Sequence, residues 1–171
     1  MKNIIVKFLT WILNKIHPTV DIGGQHSYPA NSLSNFAPHP FEIDGVKCAS
    51  MEGFLQSLKF KSEEMQAHVC TLIGIAAKRK GSNKKWWKTQ TLYWKGKEYN
   101  RSSKEYQDLL DRAYEALNTN SKFRKALKAT NNAVLTHSIG KTDKSKTVLT
   151  SAEFCSRLTN LRNKNNENDT V

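Results

Sequence analysis

Acidic residues are scarce in this chain: 15 Asp and Glu stand against 27 Lys and Arg, a formal net charge of +12. A surplus of this size concentrates anions at the surface, so nucleotides, phosphosugars and nucleic acid are the first partners to consider. Apart from Lys78-Arg79-Lys80 and Lys84-Lys85 the lysines are scattered, and general solubility explains a scattered surplus equally well. Cysteine is also sparse. Cys48, Cys70 and Cys155 are odd in number and widely spaced, with no Cys-x-x-Cys pair and no His at ligand distance. That argues against structural zinc and for a reducing compartment, hence a cytoplasmic location. The chain has no run long enough to span a membrane, no internal repeat, and no phosphate-loop, dinucleotide-fold or Ser-His-Asp signature. The apolar start from Met1 to Leu13 is interrupted by Lys7 and lacks a small-x-small cleavage site, so residues 1–17 read as an amphipathic helix ending before Pro18. Such a helix suits docking on a membrane surface or a partner protein.

What is present is organised around Met51 to Phe60. In a helix, Glu52, Gln56 and Lys59 stand at i, i+4 and i+7, and at about 100° per residue they share an arc of roughly 60°. Met51, Leu55 and Leu58, with Phe54, form the adjoining apolar sector, which puts the polar stripe at the edge of a core, lining a cleft. Ser50 is the expected N-cap, and Glu52 falls in the first turn, where the helix dipole favours a negative charge. The plainer reading is a Glu–Lys pair on a half-exposed helix.

The 171 residues fit one domain. From Thr19 to Pro40 turn formers dominate, with Leu33 and Phe36 as anchors, the pattern of a binding loop. Phe41 to Cys48 alternates around Asp44-Gly45 and predicts a hairpin. A helix is expected over Glu63–Lys80, capped by Ser62 and stopped by Gly81. From Gly81 to Arg101, Trp86, Trp87, Tyr93, Trp94 and Tyr99 are interleaved with lysines, as base stacking and phosphate attraction require and as a core-covering loop also shows. Ser102 with Glu105, Ser121, and Thr150 with Glu153 mark three further helix starts. Between them lies Thr136 to Gly140, where His137 and Ser138 could bind an anion or orient a water. Residues 163–171 have almost nothing to bury and are expected to be disordered. The fold class is mainly α with a small β-hairpin, in one domain over 18–162.

Leu33-Ser34-Asn35-Phe36, the Asp-Gly hairpin, Met51-Glu52, Gln56 and Lys59-Phe60 follow one another in the order of the opening signature of the NADAR (YbiA-like) superfamily, S-N-F and then E-x-x-x-Q-x-x-K-F. Ala76-Ala77-Lys78-Arg79-x-Gly81, Lys122-Phe123 and Leu127-Lys128-Ala129-Thr130 resemble later family stretches, so the likeness spans most of Leu33 to Arg162. The chain lacks the family's D-x-x-W-G motif and offers His137 to Gly140 and Asp143 there, which marks a divergent branch. The resemblance implies a mainly helical YbiA-like domain and an N-glycosidase acting on riboflavin-pathway ribosylamino intermediates or on ADP-ribosyl-guanine, with no metal or cofactor. It assigns catalysis to Glu52 and Lys59, the latter as phosphate binder or Schiff-base nucleophile. Substrate binding would fall to Ser34, Asn35, Phe36, Gln56, Trp86, Trp87, Tyr106, His137 and Ser138. The competing reading is a non-catalytic basic module that binds ADP-ribose-type ligands or nucleic acid.

Overall fold

The computed structural model describes residues 18–168, so the helix expected over 1–17 lies outside the described residues. Within them six α-helices surround three two-stranded sheets. Strand β1 (Thr19–Asp21) pairs in parallel with β6 (Val134–Thr136), closing the domain on itself across most of its length. Two antiparallel hairpins, β2 (Phe41–Ile43) with β3 (Val46–Cys48) and β4 (Thr91–Trp94) with β5 (Lys97–Asn100), complete the strands. The first is the hairpin expected at Asp44-Gly45. The second turns on Lys95-Gly96 and was not expected. Both turns hold two successive residues at positive φ, 50° and 78° in one, 49° and 74° in the other, which matches the twist of a tight hairpin. Lysine is a poor signal for such a turn, and only Gly96 hints at it.

Helix α1 (Met51–Ser57) is buried along its whole length, and Ser50 Oγ caps it by accepting from Gly53 N–H. Phe54 packs edge-on to Trp94 in the centre of the core. Around this pair lies α4 (Lys104–Leu117), whose Tyr106, Leu109, Leu110, Ala113, Tyr114 and Leu117 recur at helical spacing and are all buried.

The single helix expected over 63–80 is two helices, α2 (Glu63–Cys70) and α3 (Gly74–Ser82). The chain breaks because the carbonyls ending α2 are turned toward α1. Cys70 O accepts from Ala49 N–H, Leu72 O accepts from Ser50 Oγ, and a Cβ at Gly53 would lie 2.7 Å from Leu72 O. Gly74 at φ +54° then restarts the chain. Gly81 lies inside α3 and does not stop it, so its role is close approach, described below.

Two helix starts sit one residue from their expected places. Ser103 caps α4 by accepting from Tyr106 N–H, and Asn120 caps α5 (Ser121–Lys128). The third is a reciprocal capping box: Glu153 N–H donates to Thr150 Oγ1, and Thr150 N–H to the Glu153 carboxylate. It opens α6 (Ser151–Asn168), which continues through residues 163–168, where disorder was expected. Polar contacts hold that stretch: Asn165 and Asn118 exchange side-chain hydrogen bonds, and Lys164 Nζ lies 2.7 Å from Glu115. A criterion based on apolar content misses such contacts. Among the described residues no helix is long and apolar enough to cross a membrane.

Candidate active site

Helix α1 ends at Ser57, so Lys59 is carried not by the helix but by the turn just beyond it. The three polar groups nevertheless meet. Gln56 Nε2 donates to Glu52 Oε1 at 2.7 Å, and Lys59 Nζ donates to Gln56 Oε1 at 2.6 Å. The result is a relay in which an amide with both ends engaged joins an acid to an amine. Lys59 Nζ also reaches Gly81 O at 3.3 Å. A Cβ at Gly81 would collide with the Gln56 side-chain oxygen, so glycine there lets α3 close on the relay. Lys78, on the same helix, lies 3.3 Å from Glu52 Oε1. Glu52 is only 5% exposed. Burial first and Lys78 next push the Lys59 pKa down to about 8, against the opposing pull of Glu52.

The relay opens onto a cleft of about 950 Å³, near the top of the range for small-molecule sites. One wall is the loop with Ser34, Asn35 and Phe36. Asn35 O accepts from Glu52 N–H, which ties this loop to the first turn of α1. The Asn35 side-chain oxygen accepts from the Tyr114 hydroxyl at 2.8 Å, leaving its NH2 as the donor on offer. Phe36 is part-exposed beside Gly74. Trp86 and Trp87 stand on a second side, Trp86 nearly buried and Trp87 44% exposed.

The far wall is His137 and the segment from Lys141 to Phe154. His137 Nδ1 donates to Ile22 O at 2.7 Å, so a neutral ring keeps Nε2 as an acceptor, and the ring stands edge-on to Phe154. Gly140 allows the turn to fold over that ring, since a Cβ would meet both His137 and Ser151. Lys59, Lys78, Lys84, Lys141 and Lys146 all line the cleft, against the one carboxylate of Glu52. The cleft is therefore strongly cationic.

Nine of the residues expected at the site, Glu52, Lys59, Ser34, Asn35, Phe36, Gln56, Trp86, Trp87 and His137, line this cleft, and two do not. Tyr106 is fully buried behind the far wall, with its hydroxyl donating to Val148 O and the Arg101 guanidinium over its ring, so it cannot stack on a ligand. Burial raises its pKa. Ser138 donates through both its backbone N–H and its hydroxyl to Asp21, bonds that lower the Asp21 pKa and join β1 to the turn after β6. Sequence reasoning did not assign Lys84, Lys141, Lys146, Thr150 or Phe154 to the cleft. It also missed Arg101, a fully buried residue whose guanidinium grips Glu153 through two hydrogen bonds and Thr147 O through a third. Among the described residues no cluster of three His, Cys, Asp or Glu side chains is placed to hold a metal.

Comparison with known proteins bears on the fold and the family. The solved NMR structure of the E. coli protein YbiA superposes with a TM-score of 0.61, covering 90% of this chain and 89% of that one at 18% identity. The fold is thus YbiA-like. A 17.1 kDa protein of the Gp30-rIII intergenic region of Enterobacteria phage T4 is 40% identical over 146 residues, 84% of this chain and 96% of the relative. Residues 27–163, which contain every cleft-lining residue except Gly24 and Gln25, match the family described as Bacteriophage protein GP30.3, and the chain belongs to that family.

Proposed function

We propose that this protein is an N-glycosidase that hydrolyses the bond between C1 of a phosphorylated or ADP-ribosyl ribose and a nucleobase-like amine. The observation that carries the reading is the Glu52–Gln56–Lys59 relay opening onto a cationic cleft with aromatic walls. Cleaving a C1–N bond builds positive charge on the sugar ring, and a carboxylate held in a water-poor site stabilises it or activates the incoming water. Glu52 takes that role. Water adds to C1, and the amine leaves with the proton.

Gln56, with both polar ends engaged, is a positioning residue: it orients Glu52 and spaces it from Lys59. Lys59 and the other cleft lysines attract the phosphate groups. With a pKa of about 8, Lys59 is mostly a cation at neutral pH, which favours the phosphate-binding role over nucleophilic attack. Asn35 offers its NH2 to a ribose hydroxyl, His137 Nε2 accepts from another, and Phe36 or Trp87 stacks on the base.

The test is incubation of the full chain with a ribosylamino-pyrimidine phosphate and with ADP-ribosylated guanosine, followed by chromatography of the released base. Release from either supports the reading. Binding of both without release overturns it in favour of a non-catalytic module for ADP-ribose-type ligands.

A further inference from the structure

The loop that presents Asn35 and Phe36 to the cleft also lines a second depression, of about 330 Å³, together with α5. Its lining is Tyr28, Ser32, His39, Lys122 and Lys125, and it shares no residue with the cleft. We propose that this depression binds a nucleotide unit, with the base against Tyr28 and the phosphate on Lys122 and Lys125.

Two features carry the proposal. Lys122 and Lys125 stand at i, i+3 on α5, exposed, and among the described residues neither pairs with a carboxylate. Like charges at that spacing repel unless an anion joins them. Tyr28 is 53% exposed, an uncovered ring at the edge of the same depression. His39 is buried, and its Nε2 donates to Ser32 O at 2.7 Å, which leaves Nδ1 as an acceptor. That Nδ1 is buried without a partner and closed to solvent, so His39 adds ring surface to the lining rather than an acceptor for a ligand. Burial first, against the opposing hydrogen bond to Ser32 O and with Lys122 adding to it, holds the His39 pKa below the ordinary value. Two ammonium groups and an exposed aromatic ring match a phosphate and a base respectively. Inorganic phosphate would satisfy only the first.

The experiment is NMR titration of the 15N-labelled full chain, at low salt, with adenosine monophosphate, inorganic phosphate and a deoxyadenosine hexanucleotide. The expected result is that adenosine monophosphate shifts Tyr28, Ser32 and His39 as a set with its own affinity, separate from Trp86 and Trp87. In the double variant Lys122→Glu/Lys125→Glu, that affinity falls at least tenfold while the response of the two tryptophans is unchanged. Binding of the hexanucleotide more than tenfold tighter than the mononucleotide identifies the source as a polynucleotide; equal affinity identifies free nucleotide. The proposal is overturned if inorganic phosphate shifts the set as strongly as adenosine monophosphate, if the set does not move, or if the double variant binds as the wild type does.

Discussion

The two long walls of the cleft are built by different means. The wall from Glu52 to Lys59 is local: three side chains within eight residues are linked in a row by one short helix and the turn after it. The wall from His137 to Thr150 has almost no regular structure and is held from behind by distant residues. Gln90 grips Ser145 O, Arg101 grips Thr147 O, Tyr106 grips Val148 O, and Asp21 takes both donors of Ser138. In the first wall the sequence neighbours are the chemistry. In the second they are surface, and the architecture lies 40 or more positions away.

This contrast predicts what mutations do. The largest effect is expected at Arg101: Arg101→Met takes two hydrogen bonds from the Glu153 carboxylate, which keeps those from Thr150 N–H and Gln107, and releases Thr147 O, at a cost of about 3 kcal/mol, the low end for one partner lost from a buried pair. Urea denaturation measures it, and a loss under 1 kcal/mol would show the far wall to be self-supporting. Gly81→Ala should also destabilise, by about 1–3 kcal/mol, because the collision with Gln56 outweighs the better helix propensity of alanine. A gain in melting temperature would mean the relay yields freely. Tyr106→Phe leaves Val148 O without its donor and should cost about 1–2 kcal/mol. Under the proposed function it raises KM and leaves kcat in place.

A separate effect concerns pH. The folded pKa of Lys59 is lowered to about 8 from 10.5, so between those values the unfolded chain carries the extra proton and stability rises with pH. Wild type should therefore gain stability relative to Lys59→Met as pH climbs from 8 toward 10. A pH-independent difference would contradict the burial of that amine.

The same contrast decides what was legible in the sequence. Helical periodicity and a cap expose Glu52, Gln56 and the core face of α4, because those contacts repeat within a turn or two of chain. Even there the helix ends before Lys59, and the grouping survives because the following turn keeps the lysine within reach of Gln56. Tyr106 was read as a ligand contact because an aromatic in a familiar place carries no mark of the layer it occupies; burial behind Val148 decides that. Arg101 offered no signal, since a single arginine among many looks like surface charge until its partner 52 positions away is in place. The split between α2 and α3 depends on carbonyls aimed at another helix, which no propensity along 63–80 records.

The central claim is that the carboxylate of Glu52 acts on the sugar carbon of a substrate seated in the cleft. Single-turnover release of base by Glu52→Gln, on whichever ribosyl substrate the wild type cleaves, tests it most directly. The account predicts a rate lower by about a hundredfold or more, with melting temperature and substrate affinity close to wild type. A variant that releases base at the wild-type rate would contradict it.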